Sequence, residues 1–371
     1  MTLHWMTLGA SLLRFKLQIH DFKGLVLVLG LLVSGCSERP EIGELKMLSG
    51  RTMGTTYSVS YRHVVSVPSA KLLKEDIDER LRAFNLELST YIEDSDISRF
   101  NKLEKGKTFK LGRDFFSAYS GAMVAEKASL GAFDPTVMPL VNLWGFGPEG
   151  PKKVPEKDQL ESVVKFVGMD KLIFKPELKT LLKKDARVEL DFSASAKGLG
   201  VDRVAELLES YKVNDYLVEI GGEMRVAGDK GEAGPWVVAI EAPGPSEKRV
   251  AQKVLTLDQD YALATSGSYR NFYQQEGKMY QHTLNPATGR PVESDLVSVS
   301  VLDLDKSCMM ADAWATALMV MGAEKAKQMS VDLNLAVYLI IQEGREERRF
   351  IEFESPRFKN LMNQQSPLEG I

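Results

Sequence analysis

Residues 131 to 148, GAFDPTVMPLVNLWGFGP, constrain this chain more than any other stretch. Glycine and proline are too dense there for a helix or a central strand, yet the remainder is large and apolar, and Asp134 is the only ionisable side chain. Such a segment is an ordered, irregular piece packed against other structure. It carries one carboxylate whose partner has to be found.

The surrounding chain supplies regular elements. TTYSVSYR alternates at period two, and Leu73, Ile77, Leu81, Phe84 and Leu88 recur at helical spacing. ARVELDFSASAKGLGVDRVAELLESY reads as strand, turn and a helix with Val204, Leu207, Leu208 and Tyr211 on one face, while DYLVEIGGEMRVAG, WVVAIEAP, LVSVSVLD and LAVYLIIQ read as further strands. Many of these strands end in glycine, so the expected class is mixed α/β (α+β), with a substantial antiparallel component and flanking helices. At 371 residues, 44% hydrophobic and 26% charged, the chain can bury a full core, and a formal net charge of −4 without a long basic run excludes a nucleic-acid footprint.

At the N-terminus Arg14, Lys16 and Lys23 precede an apolar run from Gly24 to Val33 that ends in small residues before Cys36. This is the shape of a signal peptide over 1–35, and VSGC resembles a lipobox in which cleavage precedes Cys36 and the thiol is acylated. An ordinary signal peptide or a buried apolar strand are the other readings. Residues 36–46 form a polar tether, the folded part starts near Met47, and 355–371 is a polar, loose tail. With Cys36 lipidated, Cys308 has no intramolecular partner and reads as a small buried hydrophobe.

Three constellations carry chemistry. In MMADAWATALMVMG, Trp314, Ala317, Leu318 and Met321 share one helical face, and Asp312 and Thr316, at i and i+4, share the opposite one with Ala315 and Met319. Asp312 is then the lone charge on a helix buried all round, which calls for a cation, and carboxylate with hydroxyl is oxygen chemistry suited to Mg²⁺; local capping is the plainer alternative. In DFSASAKGLG, Lys197 stands by a helix start whose free N–H groups favour an anion, although a solvated lysine fits the pattern equally. In QHTLNPATGRPV, His282 precedes a turn, as a base or a structural histidine. No G-x-S-x-G elbow surrounds Ser266, which excludes the usual serine hydrolase.

MGTTYSV, STYIEDSDISRFN, GAFDPTVMPL, DFSASAKGLGVD, EIGGEMRVAG, ATSGSYRNF, HTLNPATGRPV and ADAWATALMVMG occur in the order and rough spacing of the ApbE family, the FAD:protein FMN transferases, which the chain resembles from about Met47 to Glu343. The resemblance implies an ApbE-like, T-fold-like architecture over 47–354. It implies FAD contacts at Met53, Tyr91, Ala132, Phe133, Asp134, Asp191, Lys197 and Leu284, and Mg²⁺ held at the position of Ala194 and by Asp312 and Thr316. His282 becomes the candidate catalytic base. The chain departs from the family at Asn285 and Glu223, where Asp is common.

The implied reaction is Mg²⁺-dependent transfer of the FMN moiety of FAD to a Thr or Ser hydroxyl with release of AMP. The implied acceptors are membrane flavoproteins carrying an S/T-G-A-S/T type site, such as subunits of quinone reductases and related electron-transport complexes. A metal-dependent FAD pyrophosphatase and a non-enzymatic flavin-binding lipoprotein are the alternatives. A lipid anchor on the periplasmic side of the inner membrane keeps such an enzyme beside its acceptors, whereas Ser37 after Cys36 is a residue compatible with sorting to the outer membrane.

Overall fold

The structure, a computed structural model, describes residues 43–67, 69–148, 154–244, 250–268, 272–275, 278–344 and 349–364. The expected signal peptide, Cys36 and most of the expected tether fall outside these residues.

The first strands, β1 (Leu45–Thr52) and β2 (Thr55–Arg62), are followed by α1 (Ala70–Leu88), α2 (Asp96–Asn101), β3 (Thr108–Lys110), α3 (Arg113–Ala128), α4 (Met138–Leu143) and α5 (Lys157–Val164). Next come β4 (Leu172–Lys175), β5 (Thr180–Lys183), α6 (Ser193–Ser210), β6 (Tyr216–Ile220), β7 (Glu223–Ala227), β8 (Trp236–Glu241) and β9 (Ala251–Leu257). The chain continues through β10 (Tyr261–Gly267), β11 (Phe272–Gln275), β12 (Lys278–Gln281), β13 (Leu296–Asp303), α7 (Cys308–Met321), α8 (Ala323–Asp332), β14 (Ala336–Glu343), β15 (Arg349–Glu354) and α9 (Pro356–Gln364). This is the mixed, largely antiparallel architecture expected.

Eight strands make the central sheet in the order β1-β2-β6-β7-β10-β13-β14-β15, and each neighbouring pair is antiparallel. Both faces of its middle are covered, which is why β14 reads as an unbroken apolar run. Val337, Leu339 and Ile341 join a core with α7, while Ala336, Tyr338 and Ile340 join a second one with the β8–β9 hairpin and α9. Helix α1 buries Leu73, Ile77, Leu81, Phe84 and Leu88, the five residues its periodicity marks, and the Ser69 hydroxyl caps it by accepting from Leu72 N. A small separate core forms around Leu140, Trp144, Leu160 and Leu284.

Three expectations are corrected. VELDF forms no strand: Val188, Leu190 and Phe192 are buried as their alternation requires, but only Glu189 pairs, in a single parallel bridge with Val137. The sheet begins at Leu45, two residues before Met47, because the outer face of β1 is exposed and gives no apolar signal. The tail is anchored through residue 364, since Ser355 is fully buried and Phe358 and Leu361 of α9 pack into the second core. Two apolar residues three apart in a polar stretch were too little signal for that helix. Among the described residues no helix is long and apolar enough to cross a membrane.

Candidate active site

Helices α6 and α7 cross at the centre of the molecule, and their repeats set the chemistry. Ala194, Gly198 and Asp202 form one row on α6, four residues apart, and Cys308, Asp312 and Thr316 form the matching row on α7. The rows meet closely because Gly198 has no side chain; a β-carbon there would sit 2.2 Å from the Cys308 carbonyl oxygen. Gly198 N donates to Asp312 Oδ2 at 3.1 Å. One turn back along α6, the row brings Ala194 to the Asp312–Thr316 end of the crossing. Thr316 Oγ1 lies 3.2 Å from the Ser266 hydroxyl on β10.

Glu223 on β7 closes the cluster. The β6–β7 turn is Gly221-Gly222, with φ of 63° and 110° that glycine tolerates, and it delivers Glu223 to the inner face. Lys197 Nζ donates to Glu223 Oε1 at 2.9 Å, so the lysine expected to face an anion meets one of the chain's own carboxylates. Glu223 is 2% exposed and its Oε2 is buried without a hydrogen-bond partner. Burial pushes Glu223 up to about 7 against the pull of Lys197. Burial likewise raises Asp312, again opposed by Lys197. For Lys197 burial works toward a lower value, but Asp312 and Glu223 overcome it and hold the ammonium above its ordinary range. The cluster is therefore short of positive charge.

These donors fit a hard cation. Asp312, Thr316, Ser266 and the unpartnered oxygen of Glu223 are all oxygen ligands, and the Ala194 carbonyl retains a second lone pair even within a helix ladder. Cys308, at the start of α7, is buried with its thiol raised well above the usual value by desolvation, which keeps it protonated and behaving as the hydrophobe expected. Among the described residues no group of three or more His, Cys, Asp and Glu side chains could cage a metal ion. A cation here must complete its shell with hydroxyl, main-chain or phosphate oxygen, as Mg²⁺ does.

The opening segment is settled by its neighbours. Asp134 Oδ1 accepts from Thr136 N at 2.8 Å and Thr136 Oγ1 at 2.6 Å, and the Thr136 hydroxyl accepts from Gly168 N. Burial still holds Asp134 above the usual carboxylate range. The Pro135 carbonyl accepts from Asp191 N at 2.8 Å, which lays the loop beside the start of α6. Asp191 in turn accepts from Ser193 N and Oγ, both at 2.8 Å. Phe133 is buried in the main core, and Ala132 is partly buried against it. Tyr91 exposes most of its ring, with its hydroxyl 3.5 Å from the Phe146 carbonyl; burial of that end and then the Asp191 charge raise the phenol. Met53 and Gly54 make the β1–β2 turn at φ of 49° and 72°, and the Met53 methyl reaches Gly200 of α6.

The structure thus gathers Lys197, Asp312 and Thr316 at one crossing with Ala194 on the same α6 row, Met53 of the β1–β2 turn against Gly200, and Asp134, Asp191 and Tyr91 around the start of α6. Leu284 and His282 lie on the segment after β12. The Leu284 side chain is committed to the small core with Leu140, Trp144 and Leu160, so what it offers a ligand is main chain. His282 is partly buried two residues before it. Asn285 accepts from Ala287 N at 2.9 Å and Thr288 N at 3.3 Å, a task the common Asp performs with the same oxygen, so the departure leaves the turn intact. Sequence reasoning undervalued Glu223, Gly198, Asp202 and Ser266. The usable signal was the four-residue spacing of Ala194, Gly198 and Asp202 against the same spacing on α7.

A buried crossing that aligns carboxylates, hydroxyls and a lysine beside an irregular loop defines an enzyme. The sequence model of the ApbE family matches residues 53–339. The chain is 40% identical over 334 residues to the FAD:protein FMN transferase of Vibrio cholerae, covering 90% of this chain and 96% of that protein. It is 41% identical over 319 residues to the FAD:protein FMN transferase of Haemophilus influenzae, covering 85% of this chain and 90% of that protein. The solved structure of the flavin transferase ApbE from Vibrio cholerae matches with a TM-score of 0.77, covering 85% of this chain and 99% of that one. The chain belongs to the ApbE family.

Proposed function

We propose that this enzyme transfers the FMN moiety of FAD to a Thr or Ser hydroxyl of an acceptor flavoprotein in a Mg²⁺-dependent reaction that releases AMP. The observation that carries the reading is the buried pair Asp312 and Glu223 around Lys197, one carboxylate oxygen of which lacks a partner, in a chain so close to named FAD:protein FMN transferases.

In this reaction the acceptor oxygen bonds to the FMN phosphorus, the bond from that phosphorus to the bridging oxygen breaks, and the bridging oxygen leaves on AMP. Asp312, Thr316 and the Ala194 carbonyl would hold the cation, with Ser266 and Glu223 beside them. When bound, Mg²⁺ supplies charge neutralisation to the pyrophosphate. Lys197 adds a fixed positive charge one turn along α6. Gly198 N, by donating to Asp312, orients that carboxylate toward the Ala194 end. His282 takes the proton of the attacking hydroxyl, for which a neutral imidazole near pH 7 is competent. Asp134, Asp191, Tyr91, Met53, Ala132 and Phe133 shape the flavin side, and the Leu284 main chain bounds it from the β12 side.

The acceptors we propose are membrane flavoproteins with an S/T-G-A-S/T type site, in quinone reductases or related electron-transport complexes, and the enzyme is lipid-anchored through Cys36 on the periplasmic side of the inner membrane. The supports are the apolar run before Cys36 and the need of such an enzyme to reach an acceptor held in the same membrane.

The test is to incubate the protein with FAD, Mg²⁺ and an acceptor domain and to weigh the acceptor by mass spectrometry. Gain of one FMN group with equimolar AMP supports the proposal. Free FMN and AMP with an unmodified acceptor instead identify a pyrophosphatase, and bound but intact FAD identifies a flavin carrier.

A further inference from the structure

Asp202 lies eight residues along α6 from Ala194, on the same row, and is 7% exposed. Both of its oxygens are spent on the start of α7: Oδ1 accepts from Cys308 N and Oδ2 from Met309 N, each at 3.0 Å. Helix α7 already has a cap of its own, the Ser307 hydroxyl accepting from Met310 N at 3.3 Å. Ser307 leaves the Cys308 and Met309 N–H groups of the first turn to be satisfied, and the carboxylate that satisfies them comes from a different helix, so this cap also ties α7 to α6. Arg225 Nη1 stands 3.7 Å from Asp202 Oδ1, and Arg225 Nη2 is held by Glu209 at 2.7 Å, so the carboxylate is itself fixed in place.

We propose that Asp202 is a positioning residue for the cation site: it clamps the first turn of α7 to α6 and so sets the register in which Asp312 and Thr316 meet Ala194. The clamp and the site occupy opposite ends of one crossing. Between them Gly198 contacts both, through its close approach to Cys308 and its donation to Asp312. Because the rows repeat every four residues, a slide of α7 at its start moves Asp312 and Thr316 by the same amount relative to Ala194. An oxygen shell tolerates such displacement poorly, and outer residues that orient metal ligands typically control about 10- to 100-fold of metal affinity. The role belongs to Asp202 and not to helix capping in general, since the Ser307 hydroxyl caps α7 from the residue next to the helix, accepting from Met310 N, while Asp202 reaches it from α6.

The inference rests on the cation reading, and the experiment separates the two. Mn²⁺ is titrated into the full-length protein without FAD, followed by electron paramagnetic resonance of the free ion, with amide hydrogen exchange of Cys308 and Met309 measured in parallel. Asp202→Asn, which keeps one acceptor oxygen and replaces the other with a donor, is expected to weaken Mn²⁺ binding by about ten-fold or more and to lose protection at one of those two amides. Ser307→Ala, which destabilises the helix end comparably, should bind Mn²⁺ within about two-fold of the unmodified protein. An Asp202→Asn protein that folds and binds Mn²⁺ within two-fold of the unmodified protein overturns the proposal, as does an equal loss in Ser307→Ala. Should Asp202→Asn not fold, Asp202→Glu, which keeps both oxygens but sets them one methylene farther out, must displace α7 and weaken Mn²⁺; unchanged affinity there overturns it too. Asp312→Ala is the control for the underlying reading: if it leaves Mn²⁺ affinity intact the cation assignment itself fails, whereas loss in Asp312→Ala with none in Asp202→Asn refutes only the clamp.

Discussion

The amide of Gly198 donates 3.1 Å across the helix crossing to Asp312, and the same residue leaves no room for a β-carbon against Cys308. One glycine therefore does two things at once. It sets how closely α6 and α7 approach, and it fixes which way the buried carboxylate points. An ordinary buried Asp that satisfied itself locally would not need a neighbouring helix to be bare of side chain at that level.

Gly198→Ala is accordingly expected to cost more than its size suggests. The obstruction is backbone, the Cys308 carbonyl and the Met309 Cα at 2.8 Å, which cannot rotate aside. Overpacking of this kind typically costs about 1–3 kcal/mol, and the variant should melt several degrees lower. Its Mn²⁺ affinity should fall as well, because the helices separate where Asp312 and Ala194 meet. A thermal melt and a Mn²⁺ titration check both, and a variant matching the unmodified protein in each would show the crossing to be looser than described.

Asp312→Ala should abolish flavin transfer while leaving the fold largely intact, since it removes the principal carboxylate from the cation site and also one buried charge that folding must desolvate. Chelation of the unmodified protein should have the same effect, reversed by Mg²⁺. The readout is the mass of the acceptor after incubation with FAD. Full transfer by Asp312→Ala in chelator-treated buffer would falsify the metal assignment.

Much of this site was legible in the sequence, and the limits are physical. Asp312 and Thr316 stood out because a charge on an otherwise apolar helix is costly wherever it lies, so i, i+4 spacing alone exposes the pair. Glu223 did not stand out: a glutamate in a strand pattern reads as solvent-facing, and only the β6–β7 pairing shows that Gly221-Gly222 turns it inward. Lys197 was found from its place at a helix start, whereas its ion pair with Glu223, two elements away, gave no sequence signal. Helix α9 was missed because two apolar residues carry it, and Leu45 because an exposed strand face has no periodic signal.

The N-terminal reading makes its own prediction. Replacing Cys36 with Ala removes the only thiol at the lipobox position, so the variant should no longer take up labelled palmitate and should appear as a soluble or signal-retaining form. Unchanged labelling would refute the lipoprotein assignment. Blotting density-gradient fractions should place the unmodified protein with inner-membrane markers. From Cys36 to the first described residue, Gly43, the chain reaches at most about 25 Å, which is too short to bridge the space between two membranes. Recovery with outer-membrane markers would overturn the placement and leave the chemistry standing.

Asp202 gives the pH prediction. Burial pushes its carboxyl up to about 6, against the N–H bonds from Met309 and Cys308 and the charge of Arg225, from an ordinary value of 3.8. The folded protein thus holds this proton more tightly than the unfolded chain does. Its contribution to stability is fully present below the ordinary carboxylate value and is lost as pH rises through about 6. The loss is about 3 kcal/mol. Asn at this position cannot titrate. The stability of the unmodified protein minus that of Asp202→Asn should therefore fall by about 2.5 kcal/mol between about pH 4 and pH 7.5, measured by urea unfolding in metal-free buffer. Taking the difference cancels the carboxylates that respond the other way, such as Asp114, which Arg80 and Arg203 hold below its usual range despite its burial. A difference that stays flat across that interval would mean that Asp202 keeps an ordinary carboxyl in the folded state, and that its two N–H bonds to α7 fully offset the cost of burying it.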